Sequence, residues 1–309
     1  MKLLINQRRQ LNHLKLKMPL RVLQRKREHE VILAWLKCGI PPGNHIVVRL
    51  GKKKQPVGQA AGILGDFLGT IARNPEMAPI NLRWKDIPDA LKEMMLEVVE
   101  AKFSYPCSPT MTKWVLRSIN SKWRNWKSNS RAVHYDSSKS LSYHLSHVSE
   151  RVDKNQWSAL VSFWNSEEGQ KTCKMNQINR SKQKMPHTLG KKSYASVIDE
   201  IETKTGQPMS RDEIFIITHE RKKDKMPVDE EAARAIATMK DIRETYPELA
   251  AADVPIQEDI FSKVLGPENS GYVRCFGIDP SPTDFATQCW GSVEIEKEKE
   301  KRSTNSSIN

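Results

Sequence analysis

The sequence predicts a mainly α protein, a multi-helix domain with a helix-turn-helix-like element and irregular termini. Apolar residues recur at spacings of three and four, as in Trp157, Leu160, Val161 and Trp164. Helix-start signals punctuate the chain, with Ser108 before Pro109 and Ser210 three residues before Glu213. Strand-like runs are few. The best is Ile46-Val47-Val48-Arg49-Leu50, and it is short.

In chain order, residues 3–37 read as a long, basic, amphipathic helix. Its apolar positions are Leu3, Leu4, Leu11, Leu14, Val22, Leu23, Val31, Ile32 and Trp35. Pro19 breaks it and Pro41-Pro42-Gly43 closes the region. The strand over 46–50 leads into Lys52-Lys53-Lys54. A helix over 57–73 follows, with Ile63, Leu64, Phe67, Leu68 and Ile71 apolar. Gly58, Gly62, Gly65 and Gly69 leave one side of it bare, which reads as close packing of another helix. A phosphate-cradling loop is the weaker reading, because no Lys-Ser/Thr follows and no strand leads directly in. Asp86 reads as an N-cap, with Pro88 in the first turn of a helix to about Phe103. Ser108 and Pro109 open the next, to about Tyr135. Helices over 153–168, 168–185 and 193–205 follow, then one from the Ser210/Glu213 capping box to about Arg221. Asp229-Glu230-Glu231 places acid at the start of a helix ending near Tyr246-Pro247. Residues 266–292 read as loop with a short strand at Tyr272–Phe276, and the tail from Val293 as charged coil. The predicted division is a basic helical extension (1–44), a helical domain (45–246) and a loop-rich extension with a charged tail (247–309).

Composition narrows the function classes. With 38% hydrophobic residues, 28% charged residues and eight Trp, the 309-residue chain can build a core. Its formal net charge of +13 favours a polyanionic partner. The charge is uneven: residues 1–195 hold 35 Lys+Arg against 14 Asp+Glu, and residues 196–309 hold 15 against 23. The basic two-thirds is therefore the expected anion-binding part, and the acidic third is suited to protein contact. No apolar run approaches the roughly 20 residues that span a bilayer, so no membrane is expected. The opening Leu3-Leu4-Ile5 ends at Asn6, Gln7, Arg8 and Arg9, short of a signal-peptide core. Five scattered Cys without a CxxC pair fit a reducing compartment and argue against a zinc finger.

Two segments carry the candidate chemistry. On a helical wheel over 108–135, Arg117, Arg124, Lys127 and Arg131 fall within about 40° of Lys113, at about 100° per residue. Val115, Ile119, Trp123 and Trp126 cluster near the other side. A charged stripe is most often a solvated face. This one has no acid between Lys113 and Arg131, which favours a row that follows a phosphate backbone. The second segment follows the apolar face of Trp157, Leu160, Val161 and Trp164, which reads as core. Lys174, Arg180 and Lys182 are interleaved with Asn176, Gln177 and Asn179 there, and Lys171 and Lys184 flank them. Arg and Lys can contact guanine, and Asn and Gln adenine, so this suits a base-reading helix. His144, His147, His134 and Asp136 lack a further ligand at zinc spacing, so no metal is expected. No GxSxG, HExxH or P-loop motif occurs, no catalytic residue is assigned and no cofactor is expected. Asp66, Asp86, Asp136 and Asp153 read as caps and surface residues.

A series of segments also points to a family. Gln55-Pro56-Val57-Gly58 precedes "FLGTIAR", and Trp84 precedes "IPDALKEMM". Lys102-Phe103, "WRNWKSNSR" at 123–131 and "NQWSALVSFWNSEE" at 155–168 come next. "NRSK" at 179–182, "GKKSYA" at 190–195 and "DEIFIITHERKKDKMPVDEEAARAI" at 212–236 follow, then "VRCFG" at 273–277 and "PSPTDF" at 280–285. In order and spacing the chain resembles the plant transposase family called Ptta/En/Spm over about residues 45–285. The three consecutive lysines and the short "YDSSKS" stretch depart from the family pattern, and the short tail suggests a degenerate copy. The resemblance implies a transposon-derived, nuclear, DNA-associated protein, with DNA and a second transposon-encoded protein as partners, and it transfers no catalytic residues. Two other readings stay open: an active metal-dependent DNA transposase, and a protein-interaction module using the acidic third.

Overall fold

The computed structural model describes residues 44–148, 152–190, 192–268 and 273–277. The basic helix expected over 3–37, the Pro41-Pro42-Gly43 closure, "PSPTDF" at 280–285 and the charged tail lie outside the described residues. Among the described residues there are ten α-helices and one two-stranded parallel sheet, so the fold is mainly α.

The first layer starts with β1 (Ile46–Val47), which pairs with β2 (Phe103–Ser104), Ile46 opposite Phe103. The strand predicted over 46–50 is therefore short. Leu50 instead bridges Pro56 across the lysine turn. Between the strands lie α1 (Gly58–Ile71) and α2 (Asp89–Glu100), and α3 (Pro109–His134) follows. Ser108 caps α3 by accepting the Met111 N–H at 3.2 Å. Ile63, Leu64, Leu68 and Ile71 of α1 share one core with Met95 and Val99 of α2 and with Val115, Ile119 and Trp123 of α3. Spacings of three and four put each set on one side of its helix.

Two expectations fail in this layer. Asp86 does not cap a helix. It closes a 3-10 turn, Trp84–Asp86, and pairs with Arg83, which holds its carboxyl below the usual range. Pro88 keeps the preceding Ile87 extended (ψ 124°) and is itself non-helical (ψ 142°), so α2 begins at Asp89. The glycine side of α1 is also not a helix contact. A Cβ at Gly62 or Gly65 would meet nothing within 4 Å, and one at Gly69 would first meet the Arg73 guanidinium at 3.3 Å. The helix packs through its apolar side and leaves Gly62 and Gly65 open, while Gly69 is buried beneath the Arg73 side chain.

The second layer comprises α4 (Leu141–Ser146), α5 (Lys154–Asn165) and α6 (Glu167–Ser181). Trp157, Leu160, Val161 and Trp164 form its core with Ile80 and Val152. Asp153 caps α5, accepting the Asn155 and Gln156 N–H groups at 3.0 and 2.9 Å. The Gln156 amide donates to the Pro75 carbonyl and accepts from the Ile80 N–H, fastening α5 to the loop after α1.

The third layer comprises α7 (Tyr194–Thr205), α8 (Arg211–His219), α9 (Glu230–Thr245) and α10 (Ile260–Leu265). The Ser210/Glu213 capping box forms, and Asp229 caps α9. The core does not stop at 246: Ile260, Phe261, Val273 and Phe276 pack with Ile214, Ile236 and Met239. Residues 273–277 make a turn rather than the predicted strand, because Cys275 (φ 66°) and Gly277 (φ 86°) are left-handed. At its polar edge, buried Arg211 donates to Asp259 at 2.8 and 2.7 Å, to Ser262 at 2.6 Å and to Glu268. Arg274 also reaches Glu268, and Arg243 reaches Asp212 and Glu213.

The first and third layers meet directly. Arg49 forks onto Asp199 at 2.8 and 2.6 Å, Lys52 pairs with Glu202 at 2.9 Å, and the buried Gln55 amide donates to the Phe276 carbonyl at 2.9 Å. Among the described residues, no helix is long and apolar enough to cross a membrane.

Candidate nucleic-acid interface

The basic, amide-rich segment is built onto α5 through a corner of one residue. Ser166 ends α5 and starts α6. Its hydroxyl donates to the Phe163 carbonyl at 2.7 Å and accepts the Gly169 N–H at 3.1 Å. Glu167 and Glu168 fill the first turn of α6, where acid suits the helix dipole. Gly169 sits directly against α5: a Cβ there would lie 1.9 Å from the Phe163 carbonyl oxygen. This corner is tighter than the roughly three to four residues of a DNA-binding helix-turn-helix, so α5 and α6 lack the turn that the predicted element requires.

Below the corner, α5 is anchored. Trp157 is fully buried, and its indole N–H donates to the His144 carbonyl at 3.1 Å. Trp164 is buried at a T-shaped contact with Trp157, ring centres 5.5 Å apart. Both tryptophans are core, as the spacing predicts. Beyond the corner, α6 loses its neighbours. Gly169 and Cys173 face α5, whereas every residue from 174 to 184 is exposed. Lys174, Asn176, Gln177, Asn179, Arg180 and Lys182 all lie on this outlying stretch. Lys171 pairs with Glu167 at 2.6 Å, and Lys184 pairs with Glu231. Among the described residues no carboxylate is within ion-pair distance of Lys174, Arg180 or Lys182.

The five cations predicted as one row on α3 separate into two groups. Lys113, Arg117 and Arg124 are exposed. Lys127 folds back, donating to the Leu82 carbonyl at 3.1 Å and lying over the Trp123 ring at 5.1 Å. Burial pushes its ammonium down to about 8. Arg131 meets the Cys173 sulfur and lies 5.3 Å from the ring centres of both Tyr135 and Trp164. The wheel places all five alike, yet the last turns of α3 run beside the 80s loop, α5 and α6, and those neighbours draw Lys127 and Arg131 inward. Lys113 lies eighteen residues before Arg131, about 27 Å along the axis, and Arg124 seven residues, about 10 Å, so the exposed α3 cations trail away from α6 along the helix.

Beside Arg131 opens a cleft of about 910 Å³, lined by Arg131, Tyr135, Asp136, Trp164, Asn165 and Gln170. Nearby, His144 is fully buried with Nδ1 3.2 Å from the His134 carbonyl and Nε2 2.9 Å from that of Asp136. His147 stacks on Tyr143 with its Nδ1 2.9 Å from the Tyr143 carbonyl. These histidines serve packing. Asp136 receives the Ser138 N–H and hydroxyl.

Sequence reasoning missed Gly169, whose close approach sets the corner, and the outward Met175 and Ile178. The glycine carried a readable signal, since it interrupts an otherwise good helix-former run one turn after a Ser cap. No curated protein and no solved structure matches the chain. Residues 153–283, the span from the α5 cap past the 273–277 turn, match the family model of the plant transposases (Ptta/En/Spm family).

Proposed function

We propose that the protein is a nuclear DNA-binding protein that holds duplex DNA with α6 and with Lys113, Arg117 and Arg124 of α3, and that it has no strand-cleaving chemistry of its own. The observation that carries this reading is the outlying half of α6. Residues 174 to 184 are all exposed beyond a tryptophan-anchored corner, with Lys184 paired to Glu231, and they hold cations and amides but no acid. Polyanion binding by such a surface is driven by counterion release. Asn176, Gln177, Asn179 and Arg180 add groups that can read base edges.

The charged core of the third layer supports the absence of cleavage chemistry. Asp212, Asp259 and Glu268 are buried but bound to Arg211, Arg243 and Arg274, so their oxygens are already committed to guanidinium groups. Asp199 and Glu202 of the acidic third are likewise taken up by Arg49 and Lys52. A second transposon-encoded protein would then supply catalysis. The test is a gel-shift titration of purified protein on duplex DNA at rising salt. With about six phosphate contacts, affinity should fall by about three orders of magnitude or more from about 50 to 200 mM salt. A flat salt response, or no binding at low salt, would overturn the binding claim. Metal-dependent cleavage by this chain, lost on changing one Asp or Glu, would overturn the claim of no catalysis.

A further inference from the structure

The side of α6 turned away from the protein is not uniformly polar. Gly169 and Cys173 mark the inward side, where α6 meets α5 and Arg131. At about 100° per residue, Lys171, Lys174, Met175, Ile178 and Lys182 fall within about 100° of one another, centred opposite that inward side. Met175 is 56% exposed and Ile178 is 38% exposed. Two apolar side chains one turn apart thus stand in water, flanked by lysines. Arg180 and Asn176 fall toward the inward azimuth, beyond the reach of α5.

We propose that Met175 and Ile178 are specificity-determining contacts that read the 5-methyl groups of thymine in the major groove, which makes the preferred duplex rich in A·T pairs. The inference rests on the DNA-binding reading above and adds the base class. Two properties of the surface choose this occupant. Its charge is wholly cationic beyond Glu168, which suits a polyanion better than a neutral protein surface. Its apolar pair is exposed, and the thymine methyl is the apolar feature that a major groove offers. Lysines at 171, 174 and 182 would sit toward the flanking phosphates and fix the register, since phosphate contacts position and base contacts specify. Asn179, between the two sets on the wheel, is placed to meet an adenine edge beside the methyls.

The test compares duplexes that differ only in those methyls. A 30-base-pair duplex recovered by the protein from a randomised pool is prepared with thymine and with uracil. Removing one contacted methyl should weaken binding about fourfold, and two about tenfold or more. In the Met175→Ala/Ile178→Ala protein the thymine preference should vanish, with an unchanged melting temperature showing that the variant is folded. Equal binding of the two duplexes by the unaltered protein would overturn this inference and leave DNA binding standing. A preference that survives in the double variant would also overturn it, because the methyls would then act through DNA shape or another contact. Self-association lost in the double variant, without thymine preference, would assign the pair to a second copy of the chain and overturn it as well. Failure to retain any duplex from the pool at low salt would overturn the DNA-binding reading and this inference with it.

Discussion

Gly169 separates two opposing effects of a single methyl group. In an exposed helix, Gly→Ala gains about 1 kcal/mol. Here the new Cβ would lie 1.9 Å from the Phe163 carbonyl oxygen, a backbone atom that cannot swing away. Gly169→Ala should therefore destabilise by about 1–3 kcal/mol, as overpacking does. It should also weaken DNA binding by tilting α6, as urea denaturation and gel shifts would measure; a more stable variant with intact binding would contradict the close packing. Trp157→Ala should cost about 3–5 kcal/mol by opening a cavity in the second core. Lys127 makes a pH-dependent contribution. Its folded value, about 8, lies below the ordinary 10.5, so between these values the unfolded chain binds more protons than the folded one. Stability relative to Lys127→Met should therefore rise as pH increases from about 8 towards 10.5. Thermal melts of the two proteins across that range would show it, and a gap that widened in the other direction would refute it.

Between elements, legibility followed how local the cause was. Ser108, Asp153, Ser193 and Asp229 act within one turn of themselves, and each caps the helix expected of it. The Trp157–Trp164 face was legible because its period alone defines it. Asp86 was misread because the proline two residues on overrides a good cap residue. The glycine side of α1 was misread because bareness does not reveal whether anything comes to cover it. The α3 row was half legible, since a wheel knows azimuth but not which neighbours stand at each height. That division can be measured. Lys113→Ala with Arg117→Ala and Arg124→Ala should lower affinity for all duplexes alike, reduce the salt slope and leave the melting temperature nearly unchanged. Asn179→Ala should instead narrow the gap between preferred and random duplexes. If both variants merely weaken binding uniformly, α6 does not read bases.

In the molecule as a whole, ionic contacts join regions of opposite charge. The basic Arg49 and Lys52 meet acidic Asp199 and Glu202 at the surface, where such pairs contribute little and are screened by salt. The Arg211–Asp259 pair is different because Arg211 is almost wholly enclosed. Asp259→Ala would leave a buried guanidinium short of a partner and should cost about 3–5 kcal/mol. Chemical denaturation would measure that loss, and a change below about 1 kcal/mol would show that Glu268 alone satisfies the arginine. The buried web also explains why composition misled at this scale. A net excess of acid over residues 196–309 reads as a surface for partners, yet some of those carboxylates are spent inside on arginines from the same region.

The bond from Gln55 to the Phe276 carbonyl spans 221 positions. During synthesis on a ribosome, the helices of the first core can pack once Trp123 has emerged, because their shared apolar partners lie upstream of it. Gln55 must wait, solvated, until the turn that follows α10 is made. The same late stretch delivers Val273 and Phe276 to the third core and brings Arg274 to Glu268. A nascent chain halted shortly before residue 273 would carry a finished first core beside an open third one. Chaperone capture and proteolytic nicking should then concentrate on residues 194–265 rather than on the helices made first.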